Sequence, residues 1–186
     1  TEGEVLEIRK VHVNREQIDR TLSHFRGKIS QTPPMYSALK VEGKPLYAYA
    51  REGITLERKA REILIHDIEL VEFDVVTMKI RVRCSKGTYV RVLGEDIGKA
   101  LGCGAHLTQL RRTSIAHLSV VDSVSLSVLE ENSEPRSSLL RPVDSLTSML
   151  PAVQLNQDLI RRFMHGQRLA LGRELGEHCL SLPLPE

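Results

Sequence analysis

Polar and apolar residues alternate without a break near the middle of the chain. Val76, Met78, Ile80, Val82 and Cys84 face one way, and Thr77, Lys79, Arg81 and Arg83 the other, the period-two pattern of a half-buried strand. Gly87 interrupts the strand, and Thr88 is the predicted N-cap of a helix. Val90, Leu93, Ile97 and Leu101 then recur at helical spacing until Gly102 supplies the stop. Residues 61–73 and 75–84 are predicted to form an antiparallel pair, with Glu72, Phe73 and Asp74 near the turn. Upstream, residues 3–13 read as a strand and residues 14–25 as a helix. In that helix Asn14 and Gln17 form a capping box, Ile18, Leu22 and Phe25 make the buried stripe, and Gly27 ends it. Residues 45–52 read as a short helix stopped by Gly53, and residues 105–118 as one further strand or two. Past residue 120 the pattern weakens to a helix begun near Ser125, a polar loop over 132–138, a helical turn closing at Pro151, and a helix capped by Asn156 and stopped by Gly166. The fold class this predicts is α+β, a mixed, mainly antiparallel sheet flanked by helices.

Composition narrows the class. A chain of 186 residues with 41% hydrophobic and 27% charged content supports one substantial core with room for a small second module. No apolar run reaches the ~20 residues a membrane span needs, and nothing resembles a secretory leader, so a soluble, cytoplasmic protein without a membrane role is expected. Cys84, Cys103 and Cys179 are odd in number and lack CxxC spacing, which supports neither a disulfide framework nor a zinc site. His106 and His117 are read as structural, and no metal is expected.

Charge adds a candidate surface. The net charge is only +2, so a nucleic-acid footprint has to be local. Lys79, Arg81, Arg83, Lys86 and Arg91 fall within residues 75–94, where no acidic residue occurs. Such a run is explained either by an anion lying against it or by a solvated strand face. Tyr89 and Arg91 are two apart at the strand's carboxyl end, where a flat phenol beside a fork of N–H donors suits a nucleobase with a phosphate or carboxylate. Earlier in the chain Tyr36, Lys40, Lys44, Tyr47 and Tyr49 interleave rings and cations, so three of the four tyrosines sit in one segment behind Pro33 and Pro34. That clustering fits RNA contact; the plain alternative is a surface loop whose tyrosines pack down on the domain.

CSKGTYVR followed by LGEDIG and LGCGAH ending in LRR (residues 84–112), together with QTPPMYSALKVEGKPLYAYAREG (residues 31–53), resembles the TruB family of bacterial tRNA pseudouridine synthases. The resemblance extends from about Gly3 to Gly166. It implies the second half of the pseudouridine synthase fold over residues 1–150, with a thumb insertion at about 31–56 that covers RNA, and over 151–186 the start of a partial PUA-like RNA-binding module. It implies isomerisation of the T-loop uridine at tRNA position 55 to pseudouridine, with no cofactor and no metal. The partner is the tRNA T stem-loop and the full-length enzyme a monomer.

Residue by residue, the resemblance places Tyr89 against the target base, as a stacking platform and a candidate for taking the C5 proton. It pairs Arg91 with the catalytic aspartate, closes the apolar side of the uridine pocket with Leu110, and assigns RNA contact to Tyr36, Lys40, Lys44 and Lys86. A guanidinium held against a carboxylate in a dry cleft favours the ionised nucleophile, and an extruded base needs an aromatic face and an apolar wall. The nucleophile itself is missing from the pattern. The family carries it in a GTLDP-like loop, and Asp19, Asp67, Asp74, Asp96, Asp122, Asp144 and Asp158 all lack that context. The chain is therefore expected to be the C-terminal part of a longer enzyme and inactive alone. Two alternatives stand beside this reading: a non-catalytic module that recognises a folded RNA loop, and a fragment that folds only with a missing half.

Overall fold

The computed structural model describes residues 5, 7–131, 136–150 and 152–170. They divide into two compact units, residues 1–110 and 111–186. The first opens with helix α1, Arg15–His24, and its capping box is complete. Asn14 Oδ1 accepts from the Gln17 N–H at 2.9 Å and Gln17 Oε1 accepts from the Asn14 N–H at 2.9 Å, which satisfies two of the donors a helix start leaves over. Ile18 and Leu22 are buried as the spacing predicts. Gly27, at φ 89°, takes the left-handed turn that reverses the chain into strand β1, Gly27–Gln31.

Strand β1 pairs antiparallel with β4, Arg61–Phe73, and β4 pairs antiparallel with β5, Met78–Cys84, giving a three-stranded sheet ordered β1-β4-β5. Register shifts at Ile65/Asp67 and Leu70/Glu72 bend the long strand. Between β1 and β4 lies a hairpin of β2, Lys40–Val41, and β3, Lys44–Pro45, followed by helix α2, Leu46–Arg51. Glu42 (φ 52°) and Gly43 (φ 82°) both have positive φ, as a tight two-residue hairpin turn requires. After β5 comes helix α3, Val90–Ala100, ended by Gly102 at φ 81°.

The core forms where α1 and α3 cover one face of the sheet. Ile18 and Leu22 meet Ile63, Ile65 and Ile68 of β4 and Leu93 and Ile97 of α3, with Ile29, Ile80, Val82 and Cys84 packed at the margin. Each such fully buried aliphatic side chain contributes about 1.5–3 kcal/mol. The opposite face is charged. Its ion pairs join Lys28 to Glu62 (3.0 Å), Lys79 to Glu72 (3.1 Å) and Arg81 to Glu69, while Arg26 meets Asp67 at the sheet margin (3.4 Å).

The second unit holds a hairpin of β6, Ser114–Ile115, and β7, Leu118–Ser119, then helix α4, Leu126–Glu131, and helix α5, Gln157–Met164, with single 3-10 turns between them. Asn156 caps α5, its Oδ1 accepting from the Leu159 N–H at 2.9 Å, and Gly166 stops it at φ 72°. Among the described residues no helix is long and apolar enough to cross a membrane.

Several expectations need correction. Residue 5 and residues 7–13 are not a strand: Ile8 is 88% exposed, and among the described residues no strand pairs with this stretch. A strand exists only by pairing, so an apolar pattern alone does not make one. Strand β5 begins at Met78 rather than Val75, since Val75 and Val76 lie in the turn, more than 70% exposed. Residues 105–118 contribute only the two-residue β6 and the start of β7. Residues 1–4, 6, 132–135, 151 and 171–186 lie outside the described residues, and with them Cys179, part of the expected polar loop and the end of the C-terminal module.

Candidate functional site

The expected site lies where β5 gives way to α3. The β4 ladder continues one residue past β5, since the Ser85 N–H donates to the Leu64 carbonyl (2.8 Å) and Ser85 Oγ accepts from the Leu64 N–H (3.0 Å). Gly87, at φ 83°, then turns the chain. Thr88 is not the cap. Its hydroxyl donates back to the Ser85 carbonyl at 2.9 Å, the short-range bond a threonine makes in a turn, and Tyr89 takes the N-cap position with φ −95° and ψ 98°. Helix α3 has no side-chain cap of its own at that position, and its third residue, Val92, cannot reach back. Gln31, at the end of β1 and only 3% exposed, does that work from 58 residues away. The Tyr89 N–H donates to Gln31 Oε1 at 2.8 Å, and Gln31 Nε2 donates to the Tyr89 carbonyl at 3.2 Å. The same carbonyl accepts the first helical bond, from the Leu93 N–H at 3.0 Å.

Arg91 reaches the same segment from one residue into the helix. Its Nη2 donates to the Tyr36 carbonyl at 2.8 Å, and it makes no ion pair among the described residues, leaving most of its five N–H donors open. The backbone of Tyr89 and the guanidinium of Arg91 are therefore both tied to residues 31–36. Tyr36 is itself 60% exposed, between β1 and β2, and Tyr89 is half-buried.

The other predicted residues divide. Lys44 is committed within the β2–β3 hairpin and α2: Nζ donates to both carboxylate oxygens of Glu52 at 2.6 Å and lies 4.6 Å from the centroid of the Tyr49 ring. The Tyr49 hydroxyl donates to the Val41 carbonyl at 3.3 Å, and Arg51 stands 5.2 Å from the Tyr47 ring. Lys40 and Lys86 are exposed, and neither makes an ion pair among the described residues. Leu110 ends the first unit, 67% exposed. The basic strand is not the uncompensated surface its sequence implies. Glu72 and Glu69 of β4 neutralise Lys79 and Arg81 across the ladder, and of the five basic residues only Arg83, Lys86 and Arg91 lack an acidic partner among the described residues. Counting charge along one strand misses the strand beside it.

A cleft of about 440 Å³ opens on the flank of α3, lined by Ser30, Thr32, Pro34, Met35 and Arg58 on one side and Val92, Glu95, Asp96 and Lys99 on the other. Its charges balance, and Lys99 lies 3.5 Å from Asp96. Arg58 donates to the Pro33 carbonyl at 3.2 Å, while its buried Nε has no partner. Neither Tyr89, Arg91 nor Leu110 lines this cleft. Among the described residues no three His, Cys, Asp or Glu side chains gather as a metal would need, and the ring of His117 is bonded to Ser148 Oγ at 3.0 Å.

Gln31 is the residue that sequence reasoning missed. A signal was present: a helix start with tyrosine at the N-cap and valine at the third position lacks both halves of a capping box, so its donors need a partner from elsewhere.

Comparison with known proteins bears on the whole arrangement. Residues 1–90 match the TruB family pseudouridylate synthase N-terminal domain, and residues 91–148 match the tRNA pseudouridylate synthase B C-terminal domain. The chain is 51% identical to tRNA pseudouridine synthase B of Ralstonia nicotianae over 190 aligned residues, covering all of this chain and 58% of that protein. It is 53% identical to the synthase of the same name from Chromobacterium violaceum, over 89% of this chain and 55% of that one. The chain thus spans a little more than half the length of these relatives. Among solved structures, a Cbf5-Nop10-Gar1 complex contains a chain that superposes with a TM-score of 0.68 at 26% identity, over 87% of this chain and 47% of that one, which agrees with a pseudouridine synthase fold. Two matching domain models in the expected order, and relatives at half identity along the chain, place this protein in the TruB family of pseudouridine synthases.

Proposed function

We propose that the full-length protein carrying this chain isomerises uridine to pseudouridine in tRNA, at position 55 of the T loop. The observation that carries the reading is the junction at residues 84–91, where Tyr89 and Arg91 leave one bend and are both held by the thumb root. Four roles follow from the family pattern. Tyr89 supplies the flat face for the extruded base, and Leu110, exposed and apolar, supplies the opposite wall. Arg91 keeps the catalytic aspartate ionised and aimed. Tyr36, Lys40, Lys44 and Lys86 contact the RNA. Lys44 does so while paired to Glu52 and set over the Tyr49 ring rather than as a free cation.

The aspartate comes from outside residues 1–186, since no GTLDP-like string occurs among them. In the reaction the carboxylate opens the exchange, the bond from N1 to C1′ breaks, and the uracil turns within the pocket. C5 then bonds to C1′, the C5 proton leaves and N1 gains one, so product and substrate are isomers. A phenol is a poor base at neutral pH, so Tyr89 would take the C5 proton only in concert with bond formation. On the same resemblance we assign residues 1–150 to the catalytic domain and 151–186 to an incomplete RNA-binding module, and the enzyme to the cytoplasm as a monomer.

The test is tritium release from tRNA labelled at C5 of uridine. The full-length protein releases one equivalent per tRNA, a transcript with cytidine at position 55 releases none from that site, and this chain alone releases none. Tight tRNA binding without release by the full-length protein refutes the enzyme and supports the binding module.

A further inference from the structure

We propose that Gln31 is a positioning residue for this reaction: from another strand its side-chain amide supplies the half of a capping box that satisfies the N-cap N–H of α3, and so sets the bearing of Tyr89 and Arg91. The inference rests on the functional reading given above. A capping box normally lies within one helix, where the third residue reaches back to the N-cap N–H. Here that residue is valine, and Gln31 takes its place.

The contact has two points. An amide that accepts from the Tyr89 N–H at 2.8 Å and donates to the Tyr89 carbonyl at 3.2 Å holds both ends of one residue's backbone, much as a neighbouring strand would. A single hydrogen bond leaves the residue free to swivel about it, and two do not. Because the tyrosine ring departs from that residue's Cα and Arg91 lies two positions on, both bearings depend on it.

The clamp is itself well founded. Gln31 is the last residue of β1, paired with Arg61 of β4, and its side chain is buried. Pro33 and Pro34 follow, and five residues on, the Tyr36 carbonyl accepts from Arg91. One short segment therefore grips the backbone of the base platform and the guanidinium of the aspartate's partner, and that segment leads into the thumb. A residue that merely filled the core would be met as well by methionine, which matches glutamine in length but makes neither bond.

The experiment compares Gln31→Met and Gln31→Glu with wild type in the full-length protein by thermal melting, tRNA binding and tritium release as a function of pH. Gln31→Met is expected to melt cooperatively, to bind tRNA within about threefold of wild type, and to lose about 10- to 100-fold in kcat, the scale of a reacting geometry displaced by a fraction of an ångström to one ångström. In Gln31→Glu an ionised carboxylate accepts from the Tyr89 N–H but faces the Tyr89 carbonyl with no donor. Its protonated form restores both bonds. The ratio of its kcat to that of wild type therefore rises as pH falls, whereas the ratio for Gln31→Met stays flat.

A folded Gln31→Met variant with wild-type kcat overturns the role, as does a loss confined to KM and tRNA affinity. Should Gln31→Met fail to melt cooperatively, the Gln31→Glu ratio decides: a rise on acidification supports the role and a flat ratio overturns it. A wild-type protein that releases no tritium overturns the functional reading itself, an outcome distinct from an active wild type matched by its Gln31→Met variant.

Discussion

Two glycines one turn apart in α3 give opposite expectations for the same substitution. A methyl built on Gly98 lies 2.2 Å from the Ala105 nitrogen, 2.4 Å from the Gly104 carbonyl carbon and 2.5 Å from Ala105 Cβ. Carbon contacts settle near ~3.5–4.0 Å, so the loop after α3 has to retreat by more than about 1 Å. The bond from the Gly104 N–H to the Gly98 carbonyl, now 2.9 Å, is lost in that retreat. Overpacking costs about 1–3 kcal/mol and the lost bond about 1 kcal/mol, while the helix gains about 1 kcal/mol from replacing glycine by alanine. The net is a loss of about 2 kcal/mol for Gly98→Ala.

At Gly94 the same methyl meets only Leu107 Cδ2 at 3.3 Å and Cγ at 3.8 Å, the end of a side chain that can turn aside. The propensity gain survives there, and Gly94→Ala is neutral or more stable by up to about 1 kcal/mol. Urea unfolding of the chain followed by far-ultraviolet circular dichroism measures both, and at about 1–3 kcal/mol per molar urea the two midpoints separate by about 1 M or more. A Gly98→Ala midpoint at or above that of Gly94→Ala refutes the close approach of α3 to residues 104 and 105.

Three further expectations test other parts of the structure. Asn14→Ala removes the acceptor of the α1 capping box and lowers stability by about 1 kcal/mol in the same urea assay; an unchanged midpoint argues against the box. Arg81→Ala breaks an exposed pair with Glu69 (side chains 70% and 44% exposed) and changes stability by less than about 1 kcal/mol. Because that arginine is already compensated, filter binding to tRNA is also expected to be unchanged, and a marked loss of affinity would restore the strand face as an RNA surface. Lys40→Met is expected to weaken tRNA binding and to reduce its salt slope by about 1, as for loss of one phosphate contact; an unaltered slope removes Lys40 from the RNA surface.

What could be read in the sequence was what local chemistry decides. The capping box of Asn14 and Gln17, the stripes through Ile18 and Leu22 and through Leu93 and Ile97, and the glycine stops at Gly53, Gly102 and Gly166 depend on neighbours within a few residues, and they formed where the spacing placed them. The features that differed depend on partners far along the chain. Residues 7–13 carry a strand pattern but pair with no strand among the described residues. Lys79 and Arg81 look uncompensated until β4 brings Glu72 and Glu69 beside them. The hairpin at Glu42 and Gly43 has only one glycine as its sequence signal, because its strands are two residues each. At the site, Tyr89 and Arg91 were visible as a motif, but the amide that holds Tyr89 comes from β1, and Lys44, expected on the RNA, is tied to Glu52 and Tyr49.

On the proposal that Arg91 serves chemistry rather than RNA affinity, the decisive quantity is the rate of tritium release by Arg91→Ala. In the full-length protein the substitution is expected to lower kcat by at least about 100-fold, the scale of losing one charged stabilising group in a dry site, with tRNA affinity nearly intact. A variant that turns over at close to the wild-type rate, or whose whole deficit lies in tRNA binding, contradicts the account.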